Sequence, residues 1–465
     1  MKYVDLFAGC GGLSLGVERA GFELALAVEK SDMAARTYFH NFIGDAADPI
    51  EWERYVNGSV EDQVEQRVLV RELAALLNNE DLLQRVSEEG IDLVVGGPPC
   101  QGFSLAGRRN PDDVRNKLPW EYLRFVEAAK PKAVVIENVV GMKQRFANDS
   151  ESSFEQLQQA LRETEPGYVV QAVEVNAMHY GAPQHRPRLM IIGLRSDIAT
   201  AAGIEATSTV WRSDFLDNLD VRDIPSLAPV PTRTRANVRT VGEAIADLAN
   251  RKPRPAADRS REYVAELRDP RWALQREAPS QPQNDVRRKH VERTTERFRL
   301  YQYLHGQKVD ARLLNRIAAL EPVQARETVV KAITGLKYPA VAPDKTVLAR
   351  NEDELTDLCL RLATKKHSQK VLDWDSPART VVTIPDDYVH PVEPRLFTVR
   401  ELARFQGFPD SFEFLGKETT GAHRRKVEVP QYSQVGNAVS PWLALAVGTR
   451  ISEVLGIQAT ESLAS

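Results

Sequence analysis

The first 195 residues of this 465-residue chain alternate short apolar runs with helical stretches, and that alternation narrows the fold more than any other feature. Runs at 2–7, 23–28, 91–95, 133–136, 169–175 and 189–194 read as strands, and 11–20, 31–40, 118–129 and 153–162 read as helices between them. Such alternation implies an α/β fold with a mostly parallel, doubly wound sheet. From about 196 to 395 the texture changes. Proline and arginine crowd together in "LAPVPTRTRANVR" and "NRKPRPAADRSRE", and only 310–320 and 351–364 still look helical. Order returns at "TVRELARFQGFPD" and in a long amphipathic helix over 440–455. The expected organisation is a first domain over 1–195, a second over 196–395, and a return to the first over 396–465.

Composition excludes several classes. With 42% hydrophobic and 27% charged residues the chain is ordinary for a globular protein. No apolar run reaches the roughly 18 residues that span a bilayer, and the first apolar segment, "YVDLFAG", is too short for a signal peptide. An intracellular, cytoplasmic protein without membrane contact is expected. Three cysteines, Cys10, Cys100 and Cys359, form neither a metal-ligand spacing nor a disulfide framework. Net charge is −4, but unevenly spread: 222–316 holds 21 Lys/Arg against 12 Asp/Glu, and 51–90 holds 4 against 10. The first of these reads as a polyanion surface or as exposed arginine-rich helices. The second reads as a solvated acidic insert, about 49–90.

In open α/β sheets, ligands bind beyond the carboxyl ends of the strands. There the sequence places the glycine turn "FAGCGG", then Glu29, then Cys100 mounted behind Pro98 and Pro99, then Glu137 and Asn138. Each has an ordinary explanation alone, such as a tight turn, a helix cap, a thiol filling a gap or a surface acid. Together they read as a site. Two prolines stiffen the backbone that presents Cys100, which suits a reactive thiol. The glycine turn lacks the G-x-G-x-x-G spacing of a dinucleotide fingerprint and the lysine of a P-loop. A nucleoside without phosphates fits better, and S-adenosylmethionine is the common one.

Six stretches, in order, resemble the DNA (cytosine-5) methyltransferase family. They are "DLFAGCGGLSLG" (5–16), "GGPPCQGFS" (96–104), "VVIENVVGM" (134–142), "GAPQHRPRLMIIG" (181–193), "RELARFQGFPD" (400–410) and "QVGNAVSPWLA" (434–444). The resemblance implies a doubly wound, Rossmann-like methyltransferase domain, with the family's target-recognition domain in the place of 196–395. It implies S-adenosylmethionine as cofactor, no metal, and methylation at C5 of a cytosine flipped out of double-stranded DNA by an enzyme monomeric on its substrate. Cys100 takes the place of the nucleophile that adds at C6. Glu137, beside Asn138, serves N3, Arg188 binds O2, and Arg186 braces the site or the phosphate backbone. For the cofactor, the resemblance places Phe7, Ala8, Gly9, Cys10, Gly11, Gly12 and Leu13 around methionine and adenine, with Glu29 and Lys30 at the ribose. Pro98 and Pro99 back the pocket, Leu118 lines the adenine, and Asn437, Ala438 and Val439 close it.

On the DNA side, 101–117 is expected to close over the base, with Gln101, Ser104, Arg108 and Arg109 toward the duplex. Gln184 supports that surface, and Thr380 and Arg395 reach phosphates from the returning segment 376–401. The sequence departs from the family in one place: no acid clearly follows the third strand to hold the adenine amino group, and Asp45 competes with the stretch 68–76. The resemblance leaves three settings open: a cognate restriction endonuclease as partner, a larger defence system, or an enzyme that works alone. Two rival readings share the motifs: a tRNA cytosine methyltransferase, disfavoured by the long 196–395 region, and a silent DNA-binding protein, disfavoured because Cys100, Glu137, Asn138 and Arg188 are all present.

Overall fold

The computed structural model describes residues 1–99, 117–143, 152–250, 258–272, 277–310, 312–366, 369–421, 424 and 428–456. An eight-stranded sheet organises the first part of the chain. Its strands are β1 (Lys2–Leu6), β2 (Glu23–Val28), β3 (Val68–Leu69), β4 (Ile91–Gly96), β5 (Ala133–Asn138), β6 (Tyr168–Asn176), β7 (Pro187–Arg195) and β8 (Trp211–Arg212). The spatial order is 3-2-1-4-5-7-6-8. Pairing is parallel from β3 to β5, and β7 runs antiparallel to both β5 and β6. Every strand expected from the apolar runs is present.

Period-two alternation explains why these runs are apolar throughout rather than half polar. On β1, Tyr3 packs into the core on one face while Val4 and Leu6 pack into that on the other. Along β5, Ala133 and Val135 likewise face away from Val134 and Ile136. A parallel sheet covered on both sides demands this. The helices α1 (Gly12–Arg19), α2 (Asp32–Phe42), α3 (Pro49–Val56), α4 (Val60–Glu65), α5 (Ala74–Leu77), α6 (Glu80–Glu88), α7 (Leu118–Ala129) and α8 (Ser153–Glu163) connect the strands. Ser31 caps α2 through the Ala34 N–H. Ser152 and Glu155 form a reciprocal capping box on α8. The closing helix Pro441–Val454 lies against α1, where a Cβ on Gly16 would come within 2.4 Å of Pro441 O. Any side chain there would part the two helices.

Two expectations change. The stretch 49–90 is not a solvated insert: it supplies edge strand β3, and Val68, Leu69, Leu73, Leu76, Leu77, Leu82 and Val86 are buried. Its acids occupy the outer faces of short helices whose inner faces build the core. The second region is also smaller than 196–395. Strand β8 joins the main sheet, and Leu227, Val241, Ile245, Tyr263 and Trp272 pack into the same core as Tyr3 and Phe405. A separate core begins at Phe298 and runs through Leu304, Leu314, Val329, Ile333, Leu355 and Cys359 to Leu396. No described helix is long and apolar enough to cross a membrane.

Candidate active site at the carboxyl edge of the sheet

Beyond β1 the chain turns through three left-handed residues, Phe7 (φ 62°), Gly9 (φ 57°) and Gly11 (φ 98°). Gly11 is required, because a Cβ would lie 2.4 Å from the Phe42 ring. A Cβ on Gly9 would meet nothing within 4 Å, so the loop backbone lies open to a ligand at that point. Phe7 holds a conformation that costs a β-carbon residue of order 1–3 kcal/mol, a strain found most often at functional sites.

Glu29 ties this loop to β2. Its Oε2 accepts from Gly9 N at 2.9 Å and its Oε1 from Ser31 N at 2.7 Å. Burial pushes its carboxyl above the usual range, and the two N–H donors oppose that rise. Each oxygen keeps a lone pair for a ribose hydroxyl. On the far side, a Cβ on Gly12 would meet Val439 O at 2.3 Å, so the segment through Ala438 and Val439 abuts the glycine loop. Cys10 is buried in the loop, with its thiol pushed up to about 12 by burial, and packs against Gln434 O. Leu13 is buried beneath the loop, Leu118 opens α7, and Lys30 is exposed beside Glu72 at 3.4 Å. An open glycine loop with a carboxylate behind it fits a nucleoside cofactor. Among the described residues, no group of His, Cys, Asp and Glu could hold a metal.

Of the two candidates for the adenine amino group, the stretch 68–76 leaves β3 beside Glu29, whose N–H bonds Leu69 O at 3.0 Å. Asp45 follows the far end of α2, roughly 16 Å along that 11-residue helix, and faces His40 at 3.1 Å. The geometry favours the stretch.

The second half of the edge is built from β4, β5 and β7. Asn138 Nδ2 donates to Pro98 O at 3.0 Å, fixing the backbone two residues before Cys100. Pro98 is buried and Pro99 half-buried. Glu137 is buried at the end of β5, and Arg188 Nε lies 2.6 Å from its Oε1. A Cβ on Gly97 would come 3.0 Å from Glu137 Oε2, so the glycine makes room for the carboxylate. The Arg188 Nη1 donates to Pro187 O, while Nη2 has no partner among the described residues. The site therefore sets side by side a carboxylate, a guanidinium N–H group without a partner among the described residues, and a fixed proline mount. Cys100, Gln101, Ser104, Arg108 and Arg109 lie outside the described residues.

Expectations for Gln184 and Arg395 are corrected, and Arg186 shows one of its two expected roles. Arg186 is buried and braces the site: it donates to Val381 O at 3.0 Å and to Gly436 O and Ala438 O, both at 2.8 Å. It clamps the closing segment. Gln184 is fully buried, donating to Gln406 Oε1 and accepting from Val381 N. Arg395 is equally enclosed, with its donors on Glu393, Glu401 and Leu396 O. Its guanidinium needs these carboxylates because burying an unpaired charge is costly, and it is not a phosphate contact. Thr380 donates its hydroxyl to His185 O. Sequence reasoning passed over Gln434 and Gln406, which brace the cofactor side by bonding Met33 O, Leu415 O and Val435 O. Gln434 heads the stretch "QVGNAVSP", the one signal that would have found it.

A sheet ordered 3-2-1-4-5-7-6-8, with β7 antiparallel, a glycine loop after β1 and an acid after β2, defines the S-adenosylmethionine-dependent methyltransferase fold. The profile of the C-5 cytosine-specific DNA methylases matches residues 1–453, and the chain belongs to that family. Its reaction is the S-adenosylmethionine-dependent methylation of cytosine in DNA. It is similar to Type II methyltransferase M.DdeI of Desulfomicrobium norvegicum, 30% identical over 97% of this chain and 88% of the relative. Type II methyltransferase M.AgeI of Thalassovita gelatinovora is also 30% identical, over 97% and 99%. A solved prophage-encoded DNA modification methyltransferase from E. coli shares the fold at a TM-score of 0.56, with 21% identity over 98% of this chain and 99% of that one.

Proposed function

We propose that the chain methylates C5 of a cytosine within one short sequence of double-stranded DNA through a covalent Cys100 adduct. The observation that carries this reading is the Glu137–Arg188 pair set beside the Pro98 mount that Asn138 fixes. S-adenosylmethionine, when bound, supplies an electrophilic methyl group. Phe7, Gly9, Gly11, Gly12, Leu13, Glu29, Ala438 and Val439 would hold it at the glycine loop.

The target base must leave the duplex, at a cost of a few kcal/mol in pairing and stacking. The Cys100 thiolate then forms a bond to C6, and the C5–C6 electron pair becomes available at C5 to attack the methyl carbon. Charge that reaches N3 and O2 meets Glu137, which delivers a proton or hydrogen bond to N3, and Arg188, whose free Nη2 takes O2. Loss of the C5 proton to water and of the thiolate from C6 restores the ring. The separate core beyond Phe298 supports a recognition role for that part of the chain. The reading places the enzyme in the cytoplasm with its DNA, with a cognate endonuclease as the natural partner.

Bisulfite sequencing of plasmid from cells expressing the chain, beside a Cys100→Ala control, tests this. Methylcytosine at one recurring sequence, absent in the control, is expected. Unmodified plasmid from cells making folded protein would refute it, and tRNA would become the substrate to try.

A further inference from the structure

The returning strap 378–381 lies along the loop 183–186 that leads into β7. Gln184 and Ala378 form a parallel bridge, with Ala378 N bonded to Pro183 O at 2.9 Å and His185 N to Ala378 O at 2.7 Å. Next along, Thr380 bonds His185 O, Val381 N bonds the buried Gln184 side chain at 2.6 Å, and Arg186 holds Val381 O. Two side chains escape this mesh. His185 is exposed between buried Gln184 and Arg186, and Arg379 is exposed between buried Ala378 and half-buried Thr380. Arg379 has no hydrogen-bond or ion-pair partner among the described residues. That sets it apart from Arg395, Arg186, Arg400 and Arg404, whose donors are all turned inward. The strap thus presents a cation on a backbone fixed on both sides, and His185 stands three residues from Arg188.

We propose that Arg379 and His185 form a two-residue cradle for a DNA phosphate next to the extruded cytosine, and so act as positioning residues. The proposal rests on the reading above. A guanidinium offers two parallel N–H donors to a phosphate, and an imidazole N–H adds a third from the neighbouring strand. Because the backbone at both residues is already ordered, little chain entropy is lost when a phosphate binds. A base held at Glu137 and Arg188 then has its backbone anchored at the rim of the same pocket. The Thr380 hydroxyl, engaged with His185 O, instead keeps the cradle's two strands in register.

The test uses the full chain, S-adenosylhomocysteine, and a duplex oligonucleotide carrying the sequence mapped by bisulfite. Equilibrium binding is measured from about 50 to 300 mM salt. Arg379→Ala should weaken binding about tenfold and lower the slope of log K against log salt by about one. Arg379→Lys should restore the slope without restoring all the affinity, because an ammonium lacks the paired donors. His185→Ala should weaken binding less, and S-adenosylhomocysteine affinity should stay unchanged in all three. An Arg379→Ala slope equal to that of the parent overturns the cradle while leaving the methylation reading intact. A parent chain that transfers no methyl group to DNA overturns both.

Discussion

The carboxyl edge of the sheet and the core beyond Phe298 both hold many ionisable groups, but they use them differently. At the edge, charges are buried and each answers a particular backbone or carboxylate group, as in Arg186 on three carbonyls or Arg188 on Glu137. Around the second core several sit on the surface and answer each other: Arg361 pairs with Glu296, and Arg326 with Asp353 and Asp357. Exposed pairs contribute little to stability, whereas buried ones fix a geometry. The excess of nine positive charges over 222–316 looks different in this light. Arg239 meets Glu266, Arg259 meets Glu243, Arg268 meets Asp410, Arg287 meets Glu393 and Arg288 meets Asp386. Charge counted along a chain is not charge offered to a ligand.

Cysteine gives the sharpest way to break the contrast. Cys100→Ala should abolish methyl transfer while S-adenosylhomocysteine still binds. Cys359, buried in the second core with its thiol pushed up to about 12, should tolerate alanine with full turnover and a stability loss of about 1 kcal/mol. Radiolabelled methyl incorporation and denaturant titration measure the two; substantial turnover in Cys100→Ala would sink the nucleophile assignment. Glu137→Gln should then lower kcat by about 10²- to 10⁴-fold with DNA affinity little changed. A variant with normal single-turnover rates would remove Glu137 from the chemistry.

Arg186→Met probes the buried edge as scaffold. Three buried carbonyls lose their donor, and a loss of about 2–4 kcal/mol follows. Urea unfolding reads it, and a change below measurement error would contradict the clamp. Asp5 probes the same edge by pH. Its buried carboxyl, bonded by Ser14 at 2.7 Å, is pushed up to about 7 by burial, with Glu29 adding to the rise. An unfolded carboxyl titrates near about 4. Between those values the folded chain binds more protons, so stability is greatest at the acid end and falls as pH rises toward about 7. Glu18, also raised to about 7 by burial, adds in the same direction. Asp5→Asn should flatten that fall in thermal midpoints between about pH 5 and 7; an unaltered profile would assign it elsewhere. The smallest effect is expected in the second region, where Arg299→Ala should leave the salt slope of DNA binding unchanged. A drop of about one would make that surface a phosphate contact after all.

Strand positions and the chemical types at their ends were legible because buried parallel strands are apolar on both faces and ligand sites lie where they stop. Glu29, Asn138 and Glu137 followed from that rule, although β5 runs on through Asn138 and carries the last two inside the strand. Arginine was not legible. Arg186, Arg188, Arg379 and Arg395 look alike in sequence. One clamps carbonyls, one faces a carboxylate, one is exposed and one is enclosed by two acids. Which of these happens depends on contacts across as many as 252 residues, as between Arg186 and Ala438, and no local pattern encodes them. The edge strand β3 was hidden for another reason: two residues are too few to show a period.

The closing helix makes the order of synthesis matter. Gly12 abuts Val439 and Gly16 abuts Pro441, so the glycine loop is walled by a segment far along the chain. A ribosome releases these pieces more than four hundred residues apart. Until that segment emerges, the glycine loop has no far wall and the Arg186 clamp has only Val381 O to hold. Newly made protein thus gains its cofactor site only once residues near Val439 are in place, and products that stop short of them carry the glycine loop without its far wall.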